Sequence, residues 1–142
     1  MTFMVNFVVD GVPVGKGRPR FAKRGNFVQT YTPQKTKDYE SVVMDAATAA
    51  MGKTEPLTTP IAIYLYIRFP IPVSYSKKRT RNCIEGLERP TKKPDWDNIA
   101  KAITDALNGI VYVDDCQIVD AHIRKVYSHT PGVDVLVKEE LP

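Results

Sequence analysis

Short segments at both ends of the chain alternate between apolar and polar residues, which is the pattern of strands in a sheet with one buried face. Near the N terminus the apolar positions precede a turn pair, Asp10-Gly11, and are Val5, Phe7 and Val9. Near the C terminus a strand-like run, 117–127, and a turn at 130–132 lead to the apolar positions Val133, Val135 and Val137. The pattern therefore predicts one strand at the start of the chain and two at its end, the last of them at the edge of a sheet.

Two longer segments carry apolar residues at the spacing of an amphipathic helix. The first follows Thr32-Pro33, an N-cap with proline at the first helical position, and ends at Gly52. The second begins at or just after Asp97 and stops at Asn108-Gly109; its stripe is Ile99, Ala102, Ile103, Ala106 and Leu107. Between the helices, residues 59–69 are almost continuously apolar and predict a central strand covered on both faces.

The resulting order, β-α-β-α-β-β, predicts an α+β fold in which a small mixed sheet of about four strands has two main helices packed on one face. The length of 142 residues predicts a single domain, residues 1–142. Two basic segments lie within it. One is an irregular arm, 12–31, with a short ribbon at 27–31, and the other is a loop, 74–93, which we expect to be mobile.

Nothing in the sequence indicates a membrane or secreted protein. It has no apolar run of about 18 residues, the length that a membrane-spanning helix needs, and its first residues lack the basic segment of a secretion signal. The two cysteines, Cys83 and Cys116, have no Cys-x-x-Cys partner, so a zinc site or a disulfide framework is disfavoured. We therefore expect the protein in the reducing cytoplasm.

Charge is distributed unevenly along the chain. Residues 1–93 carry 16 Lys and Arg against 7 Asp and Glu, whereas residues 94–142 carry 4 against 9. A basic body with one acidic cluster suits a protein that binds a polyanion and presents carboxylates to a divalent cation. Helix caps and turns also favour aspartate, so a chance cluster of caps is the alternative interpretation.

The cluster begins with Asp95 and Asp97, two residues apart where an extended loop enters the second helix, so both carboxylates can point to one side. One of them could cap the helix, but a cap uses only one carboxylate. Lys101 and Asp105 follow at intervals of four residues and share one polar stripe with Asp97. An i,i+4 ion pair is the plain interpretation of Asp105. Lys101, one turn above the carboxylates, could hold a phosphate or its developing charge.

Asp114 and Asp115 form an adjacent pair after the second helix. Neighbouring residues in a strand point to opposite faces. One of the two should therefore reach the metal site directly, and the other should support the residues that bind the metal. Several aspartate oxygens together with water are the ligands that Mg²⁺ prefers. Histidine is scarce, with only His122 and His129, which disfavours a zinc centre or a histidine base.

The two basic segments could hold a phosphate backbone. The arm contains Gly15-Lys16-Gly17-Arg18-Pro19-Arg20, whose glycines allow close backbone approach, although it lacks the ending of a P-loop. The loop contributes Lys77, Lys78, Arg79 and Arg81. Either segment alone could be a solvated surface loop, but two of them around an acidic site favour nucleic acid as the partner.

The acidic segment as a whole resembles the RusA family of Holliday junction resolvases. The resemblance is carried by Asp95-Trp96-Asp97-Asn98-Ile99-Ala100-Lys101, Asp105-Ala106-Leu107-Asn108-Gly109 and Tyr112-Val113-Asp114-Asp115-Cys116-Gln117. Residues 93–125 match closely, and residues 15–20 and 31–33 match more loosely. The resemblance implies a RusA-like fold with essential carboxylates at Asp95, Asp97 and Asp115 and an essential lysine at Lys101. Asp114 remains a weaker, supporting candidate.

The sequence and the resemblance together lead to one functional hypothesis. The protein is expected to be a homodimeric, Mg²⁺-dependent endodeoxyribonuclease, with Mn²⁺ as a plausible substitute, that resolves four-way junctions by paired symmetric nicks in DNA recombination and repair. The residues expected to contact DNA are Lys16, Arg18, Arg20, Lys77, Lys78, Arg79 and Arg81. Two alternatives stay open: a less selective nuclease acting on flaps or other branched DNA, and a junction-binding protein without catalysis.

Overall fold

The structure, a computed structural model, describes residues 2–17 and 20–142, apart from the side chain of Arg20. The strands are β1 (Met4–Asp10), β2 (Arg20–Arg24), β3 (Phe27–Tyr31), β4 (Ile61–Pro70), β5 (Ile118–Ser128) and β6 (Gly132–Glu139). The helices are α1 (Gln34–Met51), α2 (Lys77–Ile84) and α3 (Trp96–Ala106), and a short 3₁₀ turn covers Asp115–Gln117. Within the described residues, no helix is both long and apolar enough to cross a membrane.

Four of the strands form one mixed sheet in the order β1-β6-β4-β5. β6 pairs antiparallel with both β1 and β4, while β4 and β5 run parallel. The predicted α+β fold with a four-stranded mixed sheet is therefore confirmed. The expectation that the last strand lies at an edge is wrong, because β6 lies between β1 and β4 in the sheet. β2 and β3 form a separate two-stranded ribbon, which includes the predicted ribbon at 27–31.

The core lies on one face of the sheet, where α1 and α3 bury their apolar stripes. The side chains of β4 alternate in burial: Ile63, Leu65 and Ile67 are buried, whereas Tyr66 on the opposite face is 41% exposed. The expectation that this strand is covered on both faces is therefore wrong. The sequence looked uniformly apolar because the uncovered face carries aromatic residues, Tyr64 and Tyr66. The ring of Tyr64 stacks on His122, with ring centroids 4.6 Å apart.

The basic segment 74–93 contains a helix, α2, where a mobile loop was expected. Its start is fixed by Ser76, whose side chain accepts a hydrogen bond from the backbone N–H of Arg79. Its apolar contribution to the interior is a single buried residue, Cys83. A helix of eight residues with one buried side chain leaves too little periodicity for the sequence pattern to reveal it.

The segment that joins α3 to β5 is anchored by Tyr112, which is completely buried. Its hydroxyl donates a hydrogen bond to the carbonyl of Thr104 in α3, over 2.8 Å. The neighbouring backbone is held by Leu57: its N–H donates to the carbonyl of Val111 (2.8 Å), and its carbonyl accepts from Val113 (3.2 Å). Asp114 and Asp115 follow directly, so this anchor sets where the adjacent carboxylates meet α3.

We expect Tyr112→Phe to destabilise the protein by about 0.5–1.5 kcal/mol, since it removes one buried hydrogen bond and keeps the ring. Tyr112→Ala should cost about 3–5 kcal/mol because it also opens a cavity. Urea unfolding followed by circular dichroism measures both values. Tyr66→Phe, on the uncovered face, is the matched control and should stay within about 0.5 kcal/mol of the wild type. A Tyr112→Phe protein as stable as that control would show that the hydroxyl contributes nothing.

Candidate active site

Asp95 and Asp97 lie at the N-terminal end of α3, both exposed. Asp95 occupies the N-cap position in extended conformation, and its carbonyl accepts from the N–H of Ile99 over 3.2 Å, but its side chain makes no capping hydrogen bond. Asp97 is in the first turn. The helix therefore starts one residue earlier than predicted, and within residues 2–17 and 20–142 neither carboxylate makes a side-chain hydrogen bond. The positive end of the helix dipole favours negative charge at this place.

Lys101 and Asp105 form the predicted i,i+4 ion pair, with Nζ and Oδ1 3.0 Å apart. The hydrogen bond to Asp105 is the largest cause of the raised pKa of Lys101. The lysine side chain remains 59% exposed, whereas that of Asp105 is only 21% exposed. The carboxylate is thus set into the surface while the ammonium group stays accessible to a substrate.

Asp115 lies close enough to Asp105 for each carboxyl group to shift the pKa of the other. Burial first, and the interaction with Asp105 second, raise the pKa of Asp115 above that of an ordinary aspartate. Burial alone would also raise the pKa of Asp105. Its hydrogen bonds, the largest of them from Lys101, outweigh burial and lower that pKa. Two carboxyl groups close together beside one exposed lysine form a place where additional positive charge is favoured.

Asp114 has a different task from its neighbour. It is the N-cap of the 3₁₀ turn, and its side chain accepts a hydrogen bond from the N–H of Cys116 over 3.2 Å. The side chain of Gln117 in turn accepts from the N–H of Asp114 over 2.9 Å, which completes a capping box. The structure thus separates the adjacent aspartates: Asp114 holds the turn, and Asp115 faces α3.

Lys16, which was predicted to contact DNA, lies between α1 and α3. Its Nζ is 2.6 Å from Oε1 of Glu40 and 3.3 Å from Oδ2 of Asp105. Burial alone would lower the pKa of Lys16, but its hydrogen bonds to these two carboxylates raise it. Arg18 and the side chain of Arg20, two further predicted contacts, lie outside the described residues.

The four basic residues of 77–81 lie on α2 and are all exposed, but they differ in whether they contact other side chains. Lys77, Lys78 and Arg81 are exposed. Arg79 is exposed as well, but its Nε donates to Glu88 over 2.9 Å and its guanidinium stacks 3.6 Å above the ring of Tyr75. Three of the four predicted cations therefore share an outward helix face.

The sequence analysis predicted a ribbon at 27–31 but not its exposed apolar side chains, and it missed a groove that runs past Asp95. The β2–β3 ribbon exposes large apolar side chains next to Lys23 and Arg24; they are Phe21, Phe27, Val28 and Tyr31. A groove of about 1010 Å³ runs past Asp95, with Lys35 and Lys93 among its lining residues. The groove could not be read from the sequence, because its lining residues come from distant segments of the chain.

The structure brings Lys101, Asp105 and Asp115 together, but not the three carboxylates predicted to hold a metal. Across residues 2–17 and 20–142, no three His, Cys, Asp or Glu side chains lie close enough to form a ready metal-binding group. Asp95, Asp97 and Asp115 therefore do not form such a group in the described part of the chain, and like charges without a cation between them favour this arrangement. Their chemistry nevertheless fits a hard divalent cation, since all three offer carboxylate oxygens and the side chain of Asp95 is not used as a cap.

The family model for the endodeoxyribonuclease RusA matches residues 10–138, which include every residue of this site. The chain belongs to the RusA family. It is also 40% identical over 138 residues to the uncharacterized protein YqaN of Bacillus subtilis (strain 168), a match that covers 95% of this chain and 96% of that protein. The predicted resemblance to the RusA family is therefore confirmed over nearly the whole chain.

Membership of the RusA family makes the chain a structure-specific endodeoxyribonuclease of the Holliday junction type. Enzymes of this family act on branched DNA and generally depend on a divalent metal ion. The basic surfaces and the acidic cluster described above agree with both properties, because a phosphate backbone needs cations and a carboxylate site beside it needs a metal ion to relieve repulsion.

Proposed function

We propose that this RusA-family protein is a Mg²⁺-dependent endonuclease that resolves four-way DNA junctions by paired symmetric nicks, in recombination and repair. The observation that carries the proposal is the ion pair of Asp105 with the exposed Lys101, close to Asp115, on the helix at whose N-terminal end Asp95 and Asp97 lie. We place the protein in the cytoplasm, with the DNA.

In this proposal Asp95, Asp97 and Asp115 hold the metal, Mg²⁺ or in its place Mn²⁺. When bound, the ion lowers the pKa of a water molecule and stabilises negative charge on the phosphate. Asp95 and Asp97 are both exposed to solvent, so their side chains have room to turn toward a shared ion. Asp114 acts only by holding the 3₁₀ turn that presents Asp115.

Lys101 is proposed to contact the scissile phosphate. Its ammonium group is exposed and is held at one end by Asp105, so it can donate its remaining hydrogens to a phosphate oxygen without leaving that partner. A fixed cation at this place stabilises charge that develops in the transition state. Lysine is protonated at neutral pH, and the hydrogen bond to Asp105, which raises the pKa of Lys101, favours the charged form further.

DNA is proposed to contact the outward face of α2, with Lys77, Lys78 and Arg81, and the β2–β3 ribbon. The ribbon combines Lys23 and Arg24 with exposed aromatic rings, and such rings can stack on unpaired bases at a branch point. Arg79 contributes less in this proposal because Glu88 and Tyr75 already engage its guanidinium. Arg18 and Arg20 remain proposed contacts on the ground of charge.

Each acidic site cuts one strand, so a junction needs two sites related by a two-fold axis for symmetric nicks. This requirement is the reason to propose a homodimer. Sedimentation equilibrium at the concentrations that cut DNA should give twice the 15.9 kDa of the chain. A monomeric mass under those conditions, together with paired nicking, would contradict the proposal.

We expect Asp95→Asn, Asp97→Asn and Asp115→Asn each to abolish cleavage of a labelled four-way junction in Mg²⁺, while folding and junction binding stay intact or improve. Each change removes a metal ligand and also removes a negative charge beside phosphate. Gel assays on a junction, a flap and a linear duplex, each with Mg²⁺ or EDTA, measure the rates and the selectivity.

Asp45→Asn, an exposed change of the same type on α1, is the matched control and should cut normally. Near wild-type cleavage by any of the three variants would remove that residue from the metal site. Equal cleavage of flaps and junctions would favour the less selective branched-DNA nuclease. Binding that is indifferent to Mg²⁺, without any cleavage by the wild type, would favour a non-catalytic junction-binding protein.

The double variant Lys77→Gln, Lys78→Gln should weaken junction binding and reduce its salt dependence. Each phosphate contact that is lost lowers the slope of log K against log salt by about 0.9 on duplex DNA. The cleavage rate of the saturated enzyme should change little, because these residues position the backbone. Arg79→Gln is the internal comparison and should affect the slope less. An unchanged slope in the double variant would remove α2 from the DNA interface.

A further inference from the structure

The segment Gly15-Lys16-Gly17 is clamped between the N-terminal ends of α1 and α3. The N–H of Lys16 donates to the carbonyl of Asn98 in α3 over 2.8 Å. The N–H of Gly17 donates to the side chain of Thr36, a buried residue of α1, over 2.9 Å. A side chain at either glycine would collide with these helix ends. A Cβ on Gly15 would lie 2.9 Å from Pro94, and one on Gly17 would lie 2.8 Å from Pro33.

This backbone placement directs the side chain of Lys16 into the acidic cluster. Its ammonium group bridges Glu40 of α1 and Asp105 of α3, at 2.6 and 3.3 Å. With its side chain only 26% exposed, Lys16 is much less accessible than Lys101. A phosphate contact would require Lys16 to leave two carboxylates that already hold it, so the geometry disfavours a direct role in DNA binding.

Asp105 is consequently held from two sides. Lys16 contacts its Oδ2, and Lys101 contacts its Oδ1 at 3.0 Å. With both oxygens occupied, the carboxylate has little freedom to rotate, and the ammonium of Lys101 is held in one place. Asp105 and Asp115 lie close enough to shift each other's pKa, so a change in the orientation of Asp105 would affect both Lys101 and Asp115.

We propose that Lys16 is a positioning residue that acts through Asp105 to hold Lys101 and Asp115 in the arrangement that cleavage needs. The inference rests on the proposed nuclease role of Lys101 and Asp115. It assigns the glycine-flanked lysine of the basic arm to the active site, where the sequence had suggested a DNA contact. A displacement of about 1 Å in a catalytic group can reduce a rate by about a hundredfold, so loss of this brace should be visible in the chemical step.

The test compares Lys16→Met with Lys53→Met, an exposed lysine beyond the C-terminal end of α1 that serves as the charge-matched control. Lys16→Met should lower the single-turnover cleavage rate at saturating enzyme by about tenfold or more. Its junction affinity in EDTA, and the salt dependence of that affinity, should equal those of the control. Lys16→Arg, which keeps the charge, should recover part of the rate.

A double-mutant cycle with Asp105→Asn shows whether Lys16 acts through Asp105 or independently of it. If Lys16 acts through Asp105, the double variant should cut no more slowly than Asp105→Asn alone. The urea midpoints of the four proteins should also be non-additive, a readout that does not depend on DNA cleavage. Additive effects on both the rate and the midpoint would overturn the inference.

Two further results would also overturn it. The first is a wild-type cleavage rate in Lys16→Met. The second is a weakened junction affinity with a salt slope lower by about 0.9, which would make Lys16 a DNA contact. If the wild-type protein cuts no DNA at all, the proposed function fails and the positioning role fails with it, whereas non-additive urea midpoints would still establish the contact between Lys16 and Asp105.

Discussion

Burial of Tyr112 against α3 is the constraint on which the acidic site depends. The ring is completely enclosed, and its hydroxyl satisfies the carbonyl of Thr104, so the chain after α3 must return along that helix before it enters β5. Asp115 is thereby brought to Asp105, ten residues earlier in the sequence. A buried hydroxyl without a hydrogen-bond partner would be costly, so the hydrogen bond to Thr104 fixes the position of Tyr112 relative to α3.

Charge at the site is balanced by contacts from three separate parts of the chain. Asp105 forms ion pairs with Lys101 of its own helix and with Lys16 of the arm, and it lies close to Asp115, which follows Tyr112 in the chain. A cluster of carboxyl groups at a surface would repel itself without such partners. The arrangement leaves the ammonium group of Lys101 accessible on the helix that begins at Asp95 and Asp97, as the proposed metal-assisted cleavage of a phosphodiester requires.

The basic segments show how similar charge patterns divide into different structural roles. In the arm, the flanking glycines allow Lys16 to enter a narrow space between helix ends, where its ammonium group pairs with Glu40 and Asp105. In 74–93, a capped helix places Lys77 and Lys78 outward and commits Arg79 to Glu88 and Tyr75. Composition alone treats all these cations as equivalent, because it contains no information about which carboxylates from distant segments will meet them.

The sequence by itself determined the two main helices, the strands of the sheet and the family. These follow from local periodicity, from stop signals such as Gly52, and from the spacing of Asp95, Asp97 and Lys101 along one helix. Only the tertiary structure decided that β6 lies inside the sheet, that one face of β4 is uncovered, and that Lys16 and Asp115 meet at Asp105. The physical reason is range: hydrogen bonds along a helix and alternation along a strand connect near neighbours, whereas strand order and ion pairing between segments depend on how the whole core closes.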